Sequence, residues 1–317
     1  MEFIDLQAQY QAMRPEIDRA IQEVLLSSRY INGPQVKQLE TELARFTGAE
    51  HAVGFSSGTD ALLAILMAWG IGPGDEVVTT PFSFIATAET IALVGAKPVF
   101  ADVTPDTLNL DPELIEAAIT PRTRAIMPVS LFGQCADFDA INAVAARHGL
   151  PVLEDACQSF GASYRGRRSC NLTEAAATSF FPAKPLGCYG DGGMAFVRDG
   201  ELARRLRVIR EHGQVEQYKH TLIGINGRLD TLQAAVLLAK LPGFEAEIEA
   251  RQRVAARYAA LLAGKVLIPQ IRSENISVFA QYTVRVPERA KVREQMNAEG
   301  IPTAVHYPTP LHRQPVF

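Results

Sequence analysis

Between residues 50 and 200 two apolar patterns alternate along the chain. Short unbroken runs, "HAVGF", "DEVVTT", "KPVFADV", "RAIMPVS" and "LPVLED", lack the in-out alternation of a strand wetted on one face. Such runs suit strands buried on both sides, so the spacing predicts a parallel sheet covered by helices. Between them lie helical patterns: "DALLAILMAWG", "ATAETIALVG", "DPELIEAAI" and "DFDAINAVAARHG". Asp111 suits an N-cap with Pro112 at the first helical position, and Gly149 suits a C-cap. "ATSFF" and "GMAFV" read as two further strands around a glycine-rich loop that carries Lys184. "ELARRLRVIREHG" and "LDTLQAAVLLAKL" read as helices.

The composition changes near "LPGFE", residues 241–245. Beyond it come a long amphipathic helix, "EAEIEARQRVAARYAALLAG", an alternating strand, "SVFAQYTVRV", a helix, "ERAKVREQMNAEG", and a strand, "IPTAVHY". The reading is therefore α/β: a large domain over 1–240 with an N-terminal helical arm, then a small α+β domain over 241–317. A length of 317 residues agrees with more than one core.

Charge and composition narrow the function classes. The net charge is −4, from 31 basic and 35 acidic residues, and no basic run stands out, so neither nucleic acid nor an anionic membrane is an expected partner. The longest apolar stretch, "ALLAILMAWGIG", is too short to span a bilayer, and "MEFIDLQAQY" has no leader pattern. Cys135, Cys157, Cys170 and Cys188 have no CxxC spacing and His51, His148, His220 and His312 no metal-ligand spacing. Free thiols, no metal and a cytoplasmic protein are the expectation.

In open α/β sheets ligands bind beyond the carboxyl ends of the strands. Three such ends are polar. In "SSGTDALLAIL" a strand gives way to a helix whose first N–H groups and hydroxyls suit a phosphate; ordinary capping by Ser57 or Thr59 explains the same residues. In "VLEDACQSFG" a buried strand ends in two acids, which need a partner, either a protonated ring nitrogen or an arginine. In "PFSFIATAET", Phe82 and Phe84 follow a strand end and suit stacking on a flat ring or packing in the core. Together with Lys184 these are the parts that hold pyridoxal 5'-phosphate: phosphate cradle, ring stacker, carboxylate and Schiff-base lysine.

The segments "SSGTDAL", "TTPFSFIATAET", "EDACQSFGA", "SFFPAKPLGCYGDGG" and "GINGRLDTLQAA" resemble the DegT/DnrJ/EryC1/StrS family of sugar-nucleotide aminotransferases along essentially the whole chain. Within it, "SLFGQCADFDAINA", "GRRSCNL" and "PTAVHYPTPL" are similar to enzymes that aminate UDP-2-acetamido-2-deoxy-3-oxo-D-glucuronate at C3. The resemblance implies a pyridoxal-phosphate fold of type I and a homodimer with shared active sites. It implies L-glutamate as donor and a role in surface polysaccharide or O-antigen precursor synthesis. It assigns Lys184 to the covalent link and proton shuttling, Asp155 to the ring nitrogen, Gln158 to the ring hydroxyl and Phe84 to stacking. Gly58, Thr59 and Ser179 would hold the phosphate, with Asn226 reaching in from the other subunit. Arg228, His306 and Tyr307 would lie near the sugar nucleotide. The loop "YINGPQV" would lie near the substrate entrance, though a plain loop explains it equally.

Two departures are visible. Pro185 follows the lysine where many members have asparagine. The family continues for a few dozen residues where this chain has "LHRQPVF", so the small domain is expected to be incomplete. Competing readings are amination of a 4-keto dTDP- or UDP-sugar, a non-transaminating dehydratase, and a regulatory binding module. Relatives that abandon the Schiff base carry histidine where this chain has Lys184, and no DNA-binding head is present.

Overall fold

The structure, a computed structural model, describes residues 2–317. Seven strands build the main sheet: β1 (His51–Phe55), β2 (Glu76–Thr79), β3 (Lys97–Phe100), β4 (Thr123–Met127), β5 (Leu153–Asp155), β6 (Ala175–Ser179) and β7 (Gly193–Val197). They pair as β3-β2-β4 and as β5-β6-β7-β1. Two parallel bridges, Ile126 with Val152 and Val129 with Asp155, join the halves into one sheet. The β2–β3, β2–β4 and β5–β6 pairs are parallel, as the apolar runs predict. Strand β7 departs from that expectation and runs antiparallel to both β6 and β1. The reason is the connection: residues 180–192 contain no crossover helix, so the chain can only turn back as a hairpin.

Successive strand residues point to opposite faces. Val53, Val77 and Met127 lie in one apolar cluster with Leu62, Ile65 and Leu206, whereas their neighbours Ala52, Val78 and Ile126 lie in another with Leu39, Phe138 and Phe160. Both faces are dry, which is why the runs do not alternate. The covering helices are α1 (Leu6–Ala12), α2 (Arg14–Ser27), α3 (Pro34–Thr47), α4 (Gly58–Ala68), α5 (Ala86–Leu93), α6 (Pro112–Ala118), α7 (Phe138–His148), α8 (Gly200–Ile209) and α9 (Thr231–Lys240). The side chain of Asp111 accepts from Glu113 N–H with Pro112 in the first turn, and Gly149 closes α7 in the left-handed region at φ 61°. No helix among the described residues is long and apolar enough to cross a membrane.

After residue 243 follow α10 (Phe244–Leu262) and α11 (Arg289–Ala298). Phe244 and Ile248 of α10 enter the Phe160 cluster, where the Phe160 ring lies 5.7 Å from Phe244 and 5.8 Å from Phe180. The amphipathic helix thus buries its apolar face on the sheet domain. The two strands expected in this region do not form as such. Within the first, 277–286, only Arg285 makes a single bridge, to Leu267, while Asn275–Ile276 just before it pairs with Ser163–Tyr164; residues 301–307 contain no strand. A strand needs a neighbouring backbone, and here the amides find loops instead. Val278 N–H donates to Gly133 O at 2.9 Å, and Leu311 N–H donates to Pro81 O at 2.7 Å. The 301–311 segment is thereby drawn over the carboxyl ends of the central strands.

Candidate active site

Asp155 closes β5, 4% exposed. Its Oδ2 accepts from the Thr87 hydroxyl at 2.7 Å and its Oδ1 from Cys157 N–H at 3.2 Å. Thr87 donates to the carboxylate, so Ser83, 2.9 Å away, is left to donate to Thr87. Glu154, wholly buried, accepts from the Ser130 and Ser169 hydroxyls and from Cys170 N–H at 2.7–2.8 Å; burial raises its pKa. Neither acid has an arginine partner among the described residues, so the ion-pair explanation of "VLED" does not hold. Glu154 ties its strand to the 169–170 turn. Asp155 keeps a buried carboxylate with hydrogen bonds and no cation pair.

Lys184 sits in the β6–β7 loop, half-buried, its N–H bonded to Phe181 O at 2.8 Å. Its charge reaches two neighbours. Burial, and then Lys184, lower the pKa of His306. Burial and Asp155 push the Cys157 thiol up while Lys184 opposes them. Lys184 therefore lies within electrostatic reach of His306 and Cys157, and Cys157 N–H is bonded to Asp155. The Tyr307 hydroxyl accepts from Gln158 Nε2 at 3.0 Å, and burial, followed by Asp155, raises its pKa to about 12. The other end of the Gln158 amide accepts from Phe132 N–H at 2.9 Å, so this side chain is engaged within the protein at both ends. Phe84 is 55% exposed, which removes it from the core; its ring lies 6.3 Å from that of Tyr307.

The turn before α4 forms the floor. Ser57 caps the helix by accepting from Asp60 N–H at 3.0 Å, as the ordinary capping explanation requires. Gly58 has a further property. A Cβ there would lie 2.8 Å from Cys157 Sγ and 2.8 Å from Ser179 Cβ, and one on Gly193 would lie 2.3 Å from the Ser57 carbonyl carbon. The turn is pressed against the ends of β6 and β7, bringing Gly58 and Ser179 together with Thr59 beside them. The Ser179 hydroxyl accepts from Phe181 N–H at 3.2 Å.

Two of the named residues lie outside this cluster. Asn226 is exposed and bridges to Glu211. Arg228 reaches Glu211 at 3.9 Å, with its buried Nε unpartnered. Asn32 of the "YINGPQV" loop joins them, donating to Glu211 at 2.7 Å. Sequence reasoning gave no role to Ser83, Thr87 or Cys157. The hydroxyls of "SFIAT", just beyond a strand end, were the available signal; Ser83 precedes α5 and Thr87 lies in its first turn.

The sequence profile of the DegT/DnrJ/EryC1/StrS aminotransferase family matches residues 11–317. The UDP-2-acetamido-2-deoxy-3-oxo-D-glucuronate aminotransferase of Pseudomonas aeruginosa is 58% identical over 316 residues, covering 99% of this chain and 88% of that protein. Among solved structures, Streptomyces venezuelae DesV in complex with a ketimine intermediate superposes with a TM-score of 0.98 at 44% identity, over 99% of this chain and 85% of that one. Bacillus subtilis NtdA with bound cofactor PMP superposes at 0.90 with 32% identity, over 96% and 71%. This chain belongs to the DegT/DnrJ/EryC1/StrS aminotransferase family.

Proposed function

We propose that the protein moves the amino group of L-glutamate to the C3 ketone of a sugar nucleotide, UDP-2-acetamido-2-deoxy-3-oxo-D-glucuronate, using pyridoxal 5'-phosphate. The carrying observation is a buried carboxylate, Asp155, that closes a central strand with hydrogen bonds from Thr87 and Cys157 and no ion pair among the described residues. Such a group suits a protonated ring nitrogen. The floor fits the rest of the cofactor: Gly58 lets the turn before α4 press against Cys157 and Ser179, which makes a cradle at a helix N-terminus suited to phosphate. When bound, pyridoxal phosphate supplies an electrophilic carbon for the donor's nitrogen and a ring that takes up the electron pair left by a departing proton.

The chain's own residues do the remainder. Lys184 Nζ first holds the cofactor and, once freed, moves a proton across one face. Asp155 keeps the ring nitrogen protonated, and the Ser83–Thr87 relay fixes the carboxylate's orientation. Phe84 covers the ring, and Gly58, Thr59 and Ser179 bind the phosphate. His306, whose pKa burial and Lys184 lower, stays neutral near pH 7 and offers the sugar a hydrogen bond without charge. Tyr307, with its pKa near 12, keeps its proton throughout the working range.

The reading extends to a homodimer. Asn226 and Arg228, outside their own cluster, serve the partner's site. What supports this is the exposure of apolar side chains nearby: Leu26 at 80%, Tyr218 at 85% and Ile223 at 85%. Residues 1–240 act as the cofactor-binding domain and 241–317 as a small domain that closes it. The setting is cytoplasmic synthesis of surface polysaccharide precursors.

The test is a panel of 3-keto and 4-keto sugar nucleotides supplied with glutamate and pyridoxal phosphate, with the aminated product followed by mass. Amination of the 3-oxo-glucuronate alone supports the proposal; amination of only 4-keto sugars, or of none, ends it. A related expectation concerns the cradle. Gly58→Ala puts a methyl group against Cys157 and Ser179, an overpacking cost of about 1–3 kcal/mol. Fluorescence titration of the cofactor-free variant with pyridoxal phosphate should show affinity weakened about tenfold or more.

A further inference from the structure

Helix α9 ends in Lys240, which is 2% exposed and has no carboxylate within ion-pair distance among the described residues. Its ammonium donates to Gly187 O at 2.5 Å and stands 5.5 Å from the centre of the Tyr189 ring. Burial lowers its pKa. An amine so placed costs stability relative to an apolar side chain of the same length. Its one backbone partner lies in the loop that carries Lys184.

That loop is tightly made. At its base Cys188 N–H donates to Phe180 O at 2.8 Å and Phe180 N–H to Gly192 O at 2.7 Å. At its tip Gly187 packs on Pro182 so closely that a Cβ would lie 2.4 Å from Pro182 O. Lys184 falls between these two touching residues. Lys240 therefore grips the residue that closes the tip. Two turns of α9 earlier on the same face, at i−7, Gln233 accepts from Tyr189 N–H at 2.9 Å and donates to Tyr189 O at 3.3 Å.

We propose that Lys240, seconded by Gln233, is a positioning residue for the reaction: it clamps the return leg of the loop so that Lys184 Nζ is held at the distance its two tasks require. This inference rests on the proposed function. The clamp touches neither cofactor nor substrate; it acts through Lys184. An ångström-scale misplacement of a reacting group costs about 10²-fold in rate.

The test uses the full chain loaded with pyridoxal phosphate. Lys240→Met removes the ammonium and keeps the length; Gln233→Leu removes the second grip and serves if the first variant folds poorly. Borohydride reduction followed by peptide mass measures how much of Lys184 carries the cofactor, and its time course is independent of turnover. Either variant is expected to lower kcat about 10- to 100-fold, to leave KM for the sugar nucleotide within a few-fold, and to slow trapping at Lys184. The double variant should lose less than the product of the two single losses, because both act on one loop. Wild-type trapping rate and kcat in both variants would overturn the clamp and leave the function reading intact. A wild-type protein that is not trapped at Lys184 sinks that reading, and the clamp with it. Loss of KM and thermal stability with unchanged trapping assigns Lys240 to folding alone and also overturns the proposal.

Discussion

Lys184→Ala is expected to lower amine transfer by about 10⁴-fold, the upper end of what a positioned proton-transfer group contributes, with binding of the sugar nucleotide retained. Lys184 is half-buried in a loop and its side chain makes no hydrogen bond among the described residues, so its removal strips nothing from the core. What it removes is the loop's amine, whose charge acts on His306 and Cys157. No neighbour offers a free amine in its place: Tyr307 holds its proton to about 12, and Lys240 is fixed to Gly187. Single-turnover mixing with glutamate would show the loss directly. A variant that turned over within tenfold of the parent would dismiss Lys184 from the reaction. Small primary amines added to Lys184→Ala should restore part of the rate, since they can enter the vacated space.

Asp155→Asn should lower kcat by about 10²–10³-fold, the size of effect seen when one preorganised charge partner is lost. The amide oxygen can still accept from Thr87 or Cys157, so the strand end keeps its shape and far-UV circular dichroism should not change. The buried negative charge is gone, and with it the reason for a ring nitrogen to remain protonated. The comparison variant is Glu154→Gln. Glu154 is one residue away and more deeply buried, yet its oxygens serve Ser130, Ser169 and Cys170. It should cost stability, measured by thermal melting, and little rate. Equal rate losses in the two variants would mean that the acid pair acts only as scaffold.

The contrast between these neighbours shows what the sequence carries. That a buried strand ends in two acids is legible in "VLED", but which one faces the site depends on strand pleat and on the 169–170 turn, which only the folded chain supplies. The sheet was legible because unbroken apolar runs have one economical solution, both faces covered. The reversal of β7 was not, because a parallel and an antiparallel strand have the same composition. The strands expected around 277–286 and 301–307 failed for a related reason. Alternation states that a segment fits a sheet, not that a neighbour is there to pair with it. Phe84 was undecided between ring stacking and core; its exposure follows from the turn at Pro81–Ser83, which composition does not fix. Lys240 falls at the end of the helix read from "LDTLQAAVLLAKL", and nothing in its spacing reveals that it reaches back to Gly187.

The hairpin of β6 and β7 has a bearing on the order in which the molecule assembles. Contacts between segments close in sequence form sooner than those that must first close a long loop. The Ser179–Gly193 register is local, whereas β1 must find β7 from far upstream, His51 opposite Val197. The loop bearing the amine is thus expected to take shape before the sheet edge seals. Pulse-labelled amide exchange during refolding should protect Phe180 and Cys188 ahead of Val53, and simultaneous protection would show that the sheet condenses in a single event.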